Sequence, residues 1–335
     1  MGFEIEALQA EVERQIVPLI SSVQPHEICL IDPPQYNNVG DIAIFLGEMQ
    51  FLRKNFPRSN IRLIYRNNYR AFSQKIIENC DLILLQGGGN FGDIWRHFHD
   101  FRLDILRRYP HKPIIQFPQS IHFSNTDYLA ETQKAISACK QFYLMARDRN
   151  THAYAQEQFQ CDIRLCPDMA FSLGPLHAGK AMIPLFCLFR TDKEVLESKN
   201  DEIGSYLRKM GVKYKIEDWP DLGGSIELSH NLIRFASFIP IIDSSTTSRL
   251  SPLYLNFAKS RMDYGLSLLR QGQSVATDRL HGMILATLLG KRRFVFDSWD
   301  SKVRHFADTW LSTDEKLHIV NSVSDFKDIV ARDGI

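Results

Sequence analysis

The chain lacks the cysteine pairs that a zinc site or a disulfide scaffold requires. Its six cysteines form no Cys-x-x-Cys pair, and most of them lie in apolar stretches. We therefore expect reduced core residues of a cytosolic protein. These residues are Cys29, Cys80, Cys139, Cys161, Cys166 and Cys187.

Long apolar runs and a targeting signal are also missing. No apolar run approaches the roughly 18 residues that a membrane-spanning helix needs. The N-terminal segment contains Glu4, Glu6, Glu11 and Glu13, so it lacks the basic start and apolar core of a signal peptide. We therefore expect a cytoplasmic protein.

An excess of charge of one sign is absent as well. Forty lysines and arginines oppose 39 aspartates and glutamates, which gives a formal net charge of +1. This balance gives no electrostatic argument for a nucleic acid partner. The hydrophobic share of 44% is ordinary for a globular protein, and 335 residues are long enough for two domains.

The chain does contain an alternation of short apolar strands and amphipathic helices, which predicts an α/β fold with doubly wound parallel sheets. The predicted strands of the first half are Glu27–Ile31, Ile61–Tyr65, Leu82–Leu85, Pro113–Phe117, Gln141–Ala146 and Ile163–Leu165. Those of the second half are Ile183–Phe189, Val212–Ile216, Ser274–Thr277 and Arg293–Phe296.

A stretch with two glycines and a proline, 172–181, is typical of a linker. It divides the chain into an N-terminal domain, 1–175, and a C-terminal domain, 180–335. Two such halves are expected to hold a ligand in the cleft between them, at the carboxyl ends of the strands. The last predicted helix, Ser301–Leu311, is expected to pack back on the N-terminal domain. The stretch 221–250 gives no assignment.

The junction after strand Ser274–Thr277 brings together an acid, a guanidinium and an imidazole. Asp278, Arg279 and His281 stand where a helix begins, and a helix N-terminus already favours an anion. Arg279 adds a planar fork for phosphate or carboxylate, and His281 titrates near neutrality. The junction predicts a site for a reacting anion. The alternative is structural, with Asp278 capping the helix and pairing with Arg279 while His281 packs.

The glycine segment Gly87–Asp93 follows a predicted strand and satisfies the spacing G-x-G-x-x-G. A dinucleotide site also needs an acid at the end of the next strand, where 116–120 contains none. Asp93 and Trp95 put charge and bulk where a pyrophosphate needs room. We therefore expect a tight turn that displays Asn90 and Asp93 at a helix N-terminus. The alternative for Asp93 is a simple helix N-cap.

Further polar side chains follow predicted strands. Asn38 and Asp41 lie in the loop after the first strand, where amides suit sugar hydroxyls, although such residues are also common in plain turns. Arg190 ends an apolar strand and predicts an anion clamp, with a surface salt bridge as the alternative. Lys302, after the last predicted strand, either holds a phosphate or is solvated.

Seven short motifs occur in order along the chain: Asn38-Val39-Gly40-Asp41, Gly87–Asp93, Pro118-Gln119-Ser120-Ile121, Ala146-Arg147-Asp148, Pro167-Asp168-Met169-Ala170, Leu188-Phe189-Arg190-Thr191-Asp192 and Arg279-Leu280-His281-Gly282. Each is weak alone, but the ordered set resembles the polysaccharide pyruvyl transferase family. The motifs lie between about residues 37 and 310, so the resemblance covers nearly the whole chain.

The resemblance implies a fold like that of GT-B glycosyltransferases, with two Rossmann-like domains facing a cleft. It also implies a reaction of exopolysaccharide biosynthesis that moves the pyruvyl part of phosphoenolpyruvate onto two hydroxyls of a sugar, giving a pyruvate ketal and phosphate. In this resemblance Asp93 matches an acidic active-site position. The stretch 221–250 matches no family pattern, and we expect acceptor choice to depend on it. The positions associated with phosphoenolpyruvate match Arg190, Arg279, Leu280 and His281.

This reaction needs an acid near phosphoenolpyruvate and a base near the sugar. We expect His281 to be the acid and Asp93, from the other domain, to be the base, with domain closure excluding water. No metal-ligand cluster is evident, so we expect no metal and no cofactor besides the donor. The predicted donor side consists of Arg190, Arg279, Leu280, His281 and Lys302. The predicted acceptor side consists of Asn38, Asp41, Asn90 and Asp93.

Two rival functions stay open: a sugar-nucleotide glycosyltransferase on the same type of fold, and a non-catalytic saccharide-binding protein. If the saccharide acceptor is lipid-linked, the protein has to reach the inner face of the cell membrane. The predicted helix 4–22 has an acidic face and is a poor anchor for anionic lipid. We expect it to pack on the domain or on a dimer partner.

Overall fold

The alternation of strands and helices forms two parallel β-sheets in the computed structural model of the chain. The structure describes residues 4–69, 71–190, 199–219, 244–297 and 301–333. Every strand pairing in these ranges is parallel. The α/β class with parallel sheets is therefore confirmed.

The first sheet contains β1 (Glu27–Ile31), β2 (Asn60–Ile64), β3 (Leu82–Leu85), β4 (Gly88–Gly92), β5 (Pro113–His122), β6 (Gln141–Ala146) and β7 (Asp162–Leu165). Their order is β2-β1-β3-β5-β6-β7, and β4 pairs with β5 beside this path. The accompanying helices are α1 (Ile5–Val23), α2 (Val39–Asn55), α3 (Ala71–Asn79), α4 (Arg96–Arg108), α5 (Thr126–Ser137) and α6 (Arg149–Gln158), with short 3-10 helices at Arg66–Asn68 and Met169–Leu173.

The second sheet contains β8 (Ile183–Leu188), β9 (Tyr214–Glu217), β10 (Gly272–Thr277), β11 (Arg292–Phe296) and β12 (Leu317–Val320) in the order β12-β11-β10-β8-β9. Its helices are α7 (Asn200–Lys209), α8 (Ser244–Gln271), α9 (Leu280–Leu288), α10 (Lys302–Trp310) and α11 (Val323–Asp333). The two sheets fall on either side of the predicted linker, and the division into 1–175 and 180–335 stays a prediction.

Both sheets reverse their strand order at the same relative place. In the first, β1 lies between β2 and β3, and in the second, β8 lies between β9 and β10. Connections from the two sides of such a reversal diverge, which opens a crevice at the carboxyl ends of the strands. Each sheet therefore has one crevice, and the polar segments of the sequence begin there.

Both faces of the first sheet are buried, which explains why its strands are nearly continuous apolar runs. In β1, Ile28 and Leu30 belong to one hydrophobic core, while Cys29 and Ile31 belong to another. The first of these cores also contains Phe186 of β8. One apolar core, here called the shared core, therefore joins the two sheets.

The glycine segment forms a strand, β4, whereas the sequence predicts a tight turn at a helix N-terminus. Gly88 and Gly92 have φ angles of 134° and 122°, which L side chains rarely adopt. A Cβ on Gly92 would overlap the carbonyl group of His122 on β5. Helix α4 begins only at Arg96. The prediction is wrong because these glycines permit close strand pairing instead of a helix start.

The two C-terminal helices pack on different parts of the molecule. Helix α10, which the sequence analysis expects to pack back, contacts α6. Its Phe306 stacks on Phe171 with ring centroids 6.1 Å apart, and the Thr309 hydroxyl accepts a hydrogen bond from the backbone N–H of Arg149. Helix α11, which the sequence analysis does not predict, buries Phe326 against the second sheet.

Helix α1 packs on its own chain, one of the two alternatives left open by the sequence. Val12 and Ile16 are fully buried in the shared core, and the side chain of Gln9 donates to the carbonyl of Ser172. None of the described helices is both long and apolar enough to cross a membrane. Most of 221–250, the stretch expected to govern acceptor choice, lies outside the described residues.

Candidate active site

The crevices of the two sheets border one cavity of about 740 Å³, a size typical of ligand pockets. All predicted site residues except Asp93 line it, namely Asn38, Asp41, Asn90, Arg190, Arg279, Leu280, His281 and Lys302. The other lining residues are Gln35, Tyr36, Asn37, Arg66, Asn67, Gly89, Trp95, His97, Phe98, Arg147 and Trp219. The cavity therefore receives side chains from both halves of the sequence.

His281 lies beside a buried carboxylate at the start of α9. Its Nε2 atom is 3.4 Å from Oδ2 of Asp168, and the same oxygen accepts a 3.0 Å hydrogen bond from Nη1 of Arg147. Burial alone raises the pKa of Asp168, but His281, Arg147 and the amide of Ala170 reverse this and lower it to about 2. Asp168 therefore stays ionised beside His281 and Arg147.

The imidazole also rests against the first turn of α2. A Cβ on Gly40 would lie 2.6 Å from Cγ of His281, so only a glycine leaves room for the ring. Asn38 caps this helix, because its Oδ1 accepts a 2.9 Å hydrogen bond from the Gly40 N–H. The segment expected to bind sugar therefore also positions the predicted acid.

Arg279 does not present its whole fork to the cavity. Its Nε and Nη2 donate to the two carboxylate oxygens of Asp218, at 2.7 and 2.6 Å, and its guanidinium lies 5.7 Å from the ring of Trp219. This bidentate pair fixes the orientation of the guanidinium. Two of the donors that the sequence assigns to a ligand are therefore already used, and the expectation of an open fork is corrected.

Asp278 contacts Arg190 and Lys199, whereas the structural alternative had it cap the helix and pair with Arg279. Its Oδ1 accepts a 2.9 Å hydrogen bond from the backbone N–H of Arg190, and its Oδ2 lies 2.9 Å from Nζ of Lys199. The N-cap position of α9 is Arg279, not Asp278. Asp278 thus ties the end of β8 to the start of α9 and fixes the backbone from which Arg190 extends.

Among the described residues that line the cavity, Asp41 is the one with a carboxylate side chain. Removal from water raises its pKa, although His281 and Tyr36 oppose this shift. Asn90, the other predicted acceptor residue nearby, is held by Arg102, whose Nη2 donates to its Oδ1 at 2.9 Å. The first half thus contributes a basic carboxylate and a fixed amide to the cavity.

Asp93 points away from the cavity. Its Oδ2 accepts hydrogen bonds from Ser124, through N–H at 2.6 Å and the hydroxyl at 3.0 Å, and from the N–H of Asn125 at 2.7 Å. Burial raises the pKa of Asp93, but these bonds outweigh it and lower the pKa. Asp93 thus supports the loop after β5 and is not among the residues that line the cavity. The N-cap alternative is wrong, because the N-cap of α4 is Trp95, whereas the role of Asp93 as base stays a prediction.

Sequence reasoning assigned no role to three residues that organise the cavity. Arg147 and Asp168 stand in two of the seven motifs, so their motif positions were a usable signal. Asp218 follows the end of β9 directly, where parallel strands place ligand-binding groups. A search for acids just beyond predicted strand ends would have found it.

Known proteins of similar sequence include pyruvyl transferases. The model of the polysaccharide pyruvyl transferase family matches residues 38–301. The putative pyruvyl transferase EpsO of Bacillus subtilis (strain 168) is 28% identical over 304 residues, covering 89% of this chain and 89% of the relative. Pyruvyl transferase 1 of Schizosaccharomyces pombe is 27% identical over 303 residues, covering 85% and 70% respectively.

The fold is also found in a solved structure. The crystal structure of an uncharacterised protein from Klebsiella pneumoniae superposes with a TM-score of 0.61 at 17% identity, covering 93% of this chain and 99% of that one. At this identity the likeness concerns the fold alone. The match of the family model, in contrast, extends over most of the sequence. The chain belongs to the polysaccharide pyruvyl transferase family.

Proposed function

We propose that the chain transfers the pyruvyl group of phosphoenolpyruvate to two hydroxyls of a sugar in a polysaccharide precursor, forming a pyruvate ketal and releasing phosphate. The observation that carries this proposal is the contact between His281 and the ionised Asp168 at a cavity lined by cationic side chains. This geometry places an imidazole beside a carboxylate at the cavity, and we assign His281 as the donor of the proton that the enol double bond needs.

The cationic lining supports an anionic donor. Among the described residues that line the cavity, five are arginine or lysine and one is a carboxylate. Phosphoenolpyruvate has a phosphate and a carboxylate, and guanidinium groups bind both well. We assign the donor to Arg190, Lys302 and the Arg279 guanidinium that Asp218 orients.

The reaction begins when His281 donates its proton to C3 of phosphoenolpyruvate. The π electrons of the double bond form the new C–H bond, and positive charge develops at C2. A sugar hydroxyl oxygen bonds to C2 and gives its proton to a base. The C2–O bond to phosphate then breaks, and a second hydroxyl bonds to C2. Of the two hydroxyl protons, one balances the proton on C3 and the other leaves with phosphate, so no cofactor is consumed.

Asp41 replaces Asp93 as the proposed base. It borders the same cavity as His281, and its pKa is raised by removal from water. A higher pKa makes a carboxylate a stronger proton acceptor. Asp93 has the opposite properties, because three hydrogen bonds satisfy its Oδ2 and its pKa is lowered.

An aromatic part of the cavity supports a saccharide acceptor. Phe98 contacts Tyr36 and His97, with ring centroids 5.3 and 4.2 Å apart, and Trp95 also lines the cavity. Ring faces of this kind pack on the C–H face of a sugar, while neighbouring amides bind its hydroxyls. We propose a cytoplasmic reaction in a GT-B-like cleft, at the inner face of the membrane if the acceptor is lipid-linked.

The test is to incubate the protein with phosphoenolpyruvate and a panel of saccharides, then to measure phosphate and the methyl resonance of a ketal. We expect both products to appear together with at least one acceptor. His281→Gln should abolish both, while His111→Gln, at an exposed loop position, should retain both. If no saccharide in a broad panel yields phosphate or ketal, the proposal is wrong.

A further inference from the structure

A second cavity of about 240 Å³, here called the side cavity, adjoins the first. The two share Gly89 and Lys302. Gly89 is exposed and has no side chain to divide them. We infer that the side cavity binds the sugar next to the reacting sugar in an oligosaccharide acceptor. This inference rests on the proposed function, since it extends the acceptor side of the same site.

The lining of the side cavity combines apolar surface with neutral hydrogen-bonding groups. Phe123 and Ile121 offer apolar surface, and Tyr154 adds a ring that ends in a hydroxyl. That hydroxyl makes no hydrogen bond with any other residue in the described ranges. Burial and then the charge of Asp93 raise the pKa of Tyr154, so the hydroxyl stays neutral and can donate or accept.

Two helices hold the polar groups in place. Asn150 at the start of α6 and His305 of α10 are hydrogen-bonded to each other, with 2.9 Å between Nδ2 and Nε2. Both residues line the side cavity. An amide and an imidazole held in this way present directed donors and acceptors, as recognition of sugar hydroxyls requires.

Charge in the side cavity favours a neutral sugar over a second phosphate group. Asp148 lines it, and its carboxylate accepts hydrogen bonds from the N–H and hydroxyl of Thr151. Asp93 lies close enough to act on Tyr154. These two carboxylates oppose an anion beside Lys302. A polysaccharide precursor has a further sugar beyond the one that reacts, and the side cavity is next to the first cavity.

The experiment compares acceptors that differ by one sugar. The probes are the methyl glycosides of glucose, galactose, mannose and N-acetylglucosamine, together with disaccharides that carry each of these at the non-reducing end. With phosphoenolpyruvate in excess, phosphate release gives kcat/KM for each. In Tyr154→Phe and Asn150→Ala we expect kcat/KM to fall about 3- to 10-fold for the disaccharide, the effect of one lost hydrogen bond, and to be unchanged for the methyl glycoside.

The matched control is Tyr206→Phe, which removes a hydroxyl that donates to the carbonyl of Lys327 far from both cavities. It should leave both values unchanged. Equal losses for the two acceptor lengths, or no loss for either, overturn the inference while the proposed function stands. If the unmodified protein releases no phosphate with any probe, calorimetric titration decides: a disaccharide that binds no tighter than its methyl glycoside also overturns the inference.

Discussion

At the residue scale, Asp168 joins the proposed acid to a buried ion pair. It is fully buried, pairs with Arg147 and contacts His281. Removing one member of a buried ion pair leaves the other uncompensated, which is far more costly than losing an exposed pair. Asp168 therefore contributes to stability, and it also contacts the proposed acid.

Asp168→Asn should lower both turnover and stability. We expect kcat for phosphate release to fall about 100-fold or more, because the proposed acid His281 loses the carboxylate that it contacts. The free energy of unfolding in urea should fall by about 3–5 kcal/mol, because Arg147 is left without its partner. Asp162→Asn, which removes an exposed carboxylate paired with Arg164, is the control and should change neither value.

The same variant gives a pH dependence. The pKa of Asp168 is about 2 in the folded protein, below the ordinary value of 3.8. The stabilisation due to this shift, about 2 kcal/mol, is therefore present above about pH 4 and is lost as the pH falls towards 2. The difference in stability between the unmodified protein and Asp168→Asn should therefore narrow by about 2 kcal/mol in urea titrations over that range. A difference independent of pH contradicts the assignment.

Gly40→Ala should reduce turnover without unfolding the protein. The added methyl group displaces the His281 ring, and a shift of about 1 Å in a catalytic group can cost about 100-fold in rate. Gly290→Ala is the control: its φ of 65° strains an alanine by about 1 kcal/mol or more, but no atom lies within 4 Å of the new Cβ. Kinetics and thermal unfolding separate the two effects, and normal turnover of Gly40→Ala refutes the positioning role.

At the element scale, α2 links the core to the cavity. Its first turn supports His281 and carries Asp41, while the buried Glu48 lies about two turns further on. Oε1 of Glu48 accepts a 2.8 Å hydrogen bond from the N–H of Gly87, just before β4. Burial raises the pKa of Glu48 well above its ordinary value, which favours the protonated carboxyl in the folded protein.

Glu48→Gln should be tolerated, because glutamine has the shape of the protonated side chain and keeps the acceptor for Gly87. We expect a change in the free energy of unfolding below about 1 kcal/mol, whereas Glu48→Ala should cost about 2 kcal/mol or more by leaving that N–H unpaired.

Because the folded state retains a proton that the unfolded state loses, the native protein should lose stability as pH rises above about 4.5, more steeply than Glu48→Gln. Equal slopes would falsify the neutral carboxyl.

The sequence predicts strands that are determined by local burial better than strands that are determined by contact with a distant segment. The strands Glu27–Ile31 and Gln141–Ala146 are predicted to the residue, because burial on both faces imposes a continuous apolar run. The sequence does not predict strand β4, because its glycines allow close approach to β5 and no local pattern shows this contact. The position of the Asp93 side chain depends on where β4 ends, so the sequence does not predict that position either. The pairing of Arg279 with Asp218 joins positions 61 residues apart, beyond the reach of local motifs.

At the scale of the whole molecule, the shared core limits motion between the halves. Helix α8 packs on α2 and β2, and Tyr254 of α8 contacts Phe45 of α2 with ring centroids 5.0 Å apart. Apolar interfaces of this kind oppose the free relative movement that separate domains usually have. The shared core therefore opposes the domain closure expected from the sequence, and that closure stays a prediction.

Denaturant unfolding should consequently occur in one step. We expect coincident transitions by far-ultraviolet circular dichroism and by fluorescence, because the shared core takes side chains from both halves. Met262→Ala, in the buried part of α8, should lower the single midpoint and cost about 2–5 kcal/mol without splitting the transition. Two separated transitions in either protein would show that the halves unfold independently.

The position of Trp219 has a practical consequence. Its indole lies under the Arg279 guanidinium and lines the cavity, and Trp95 lines the aromatic part. A ligand that enters changes the polarity around both rings, so intrinsic emission should respond to binding without any label. Donor and acceptor can therefore be titrated separately on the unmodified chain, with Trp219→Phe and Trp95→Phe indicating which ring reports which ligand.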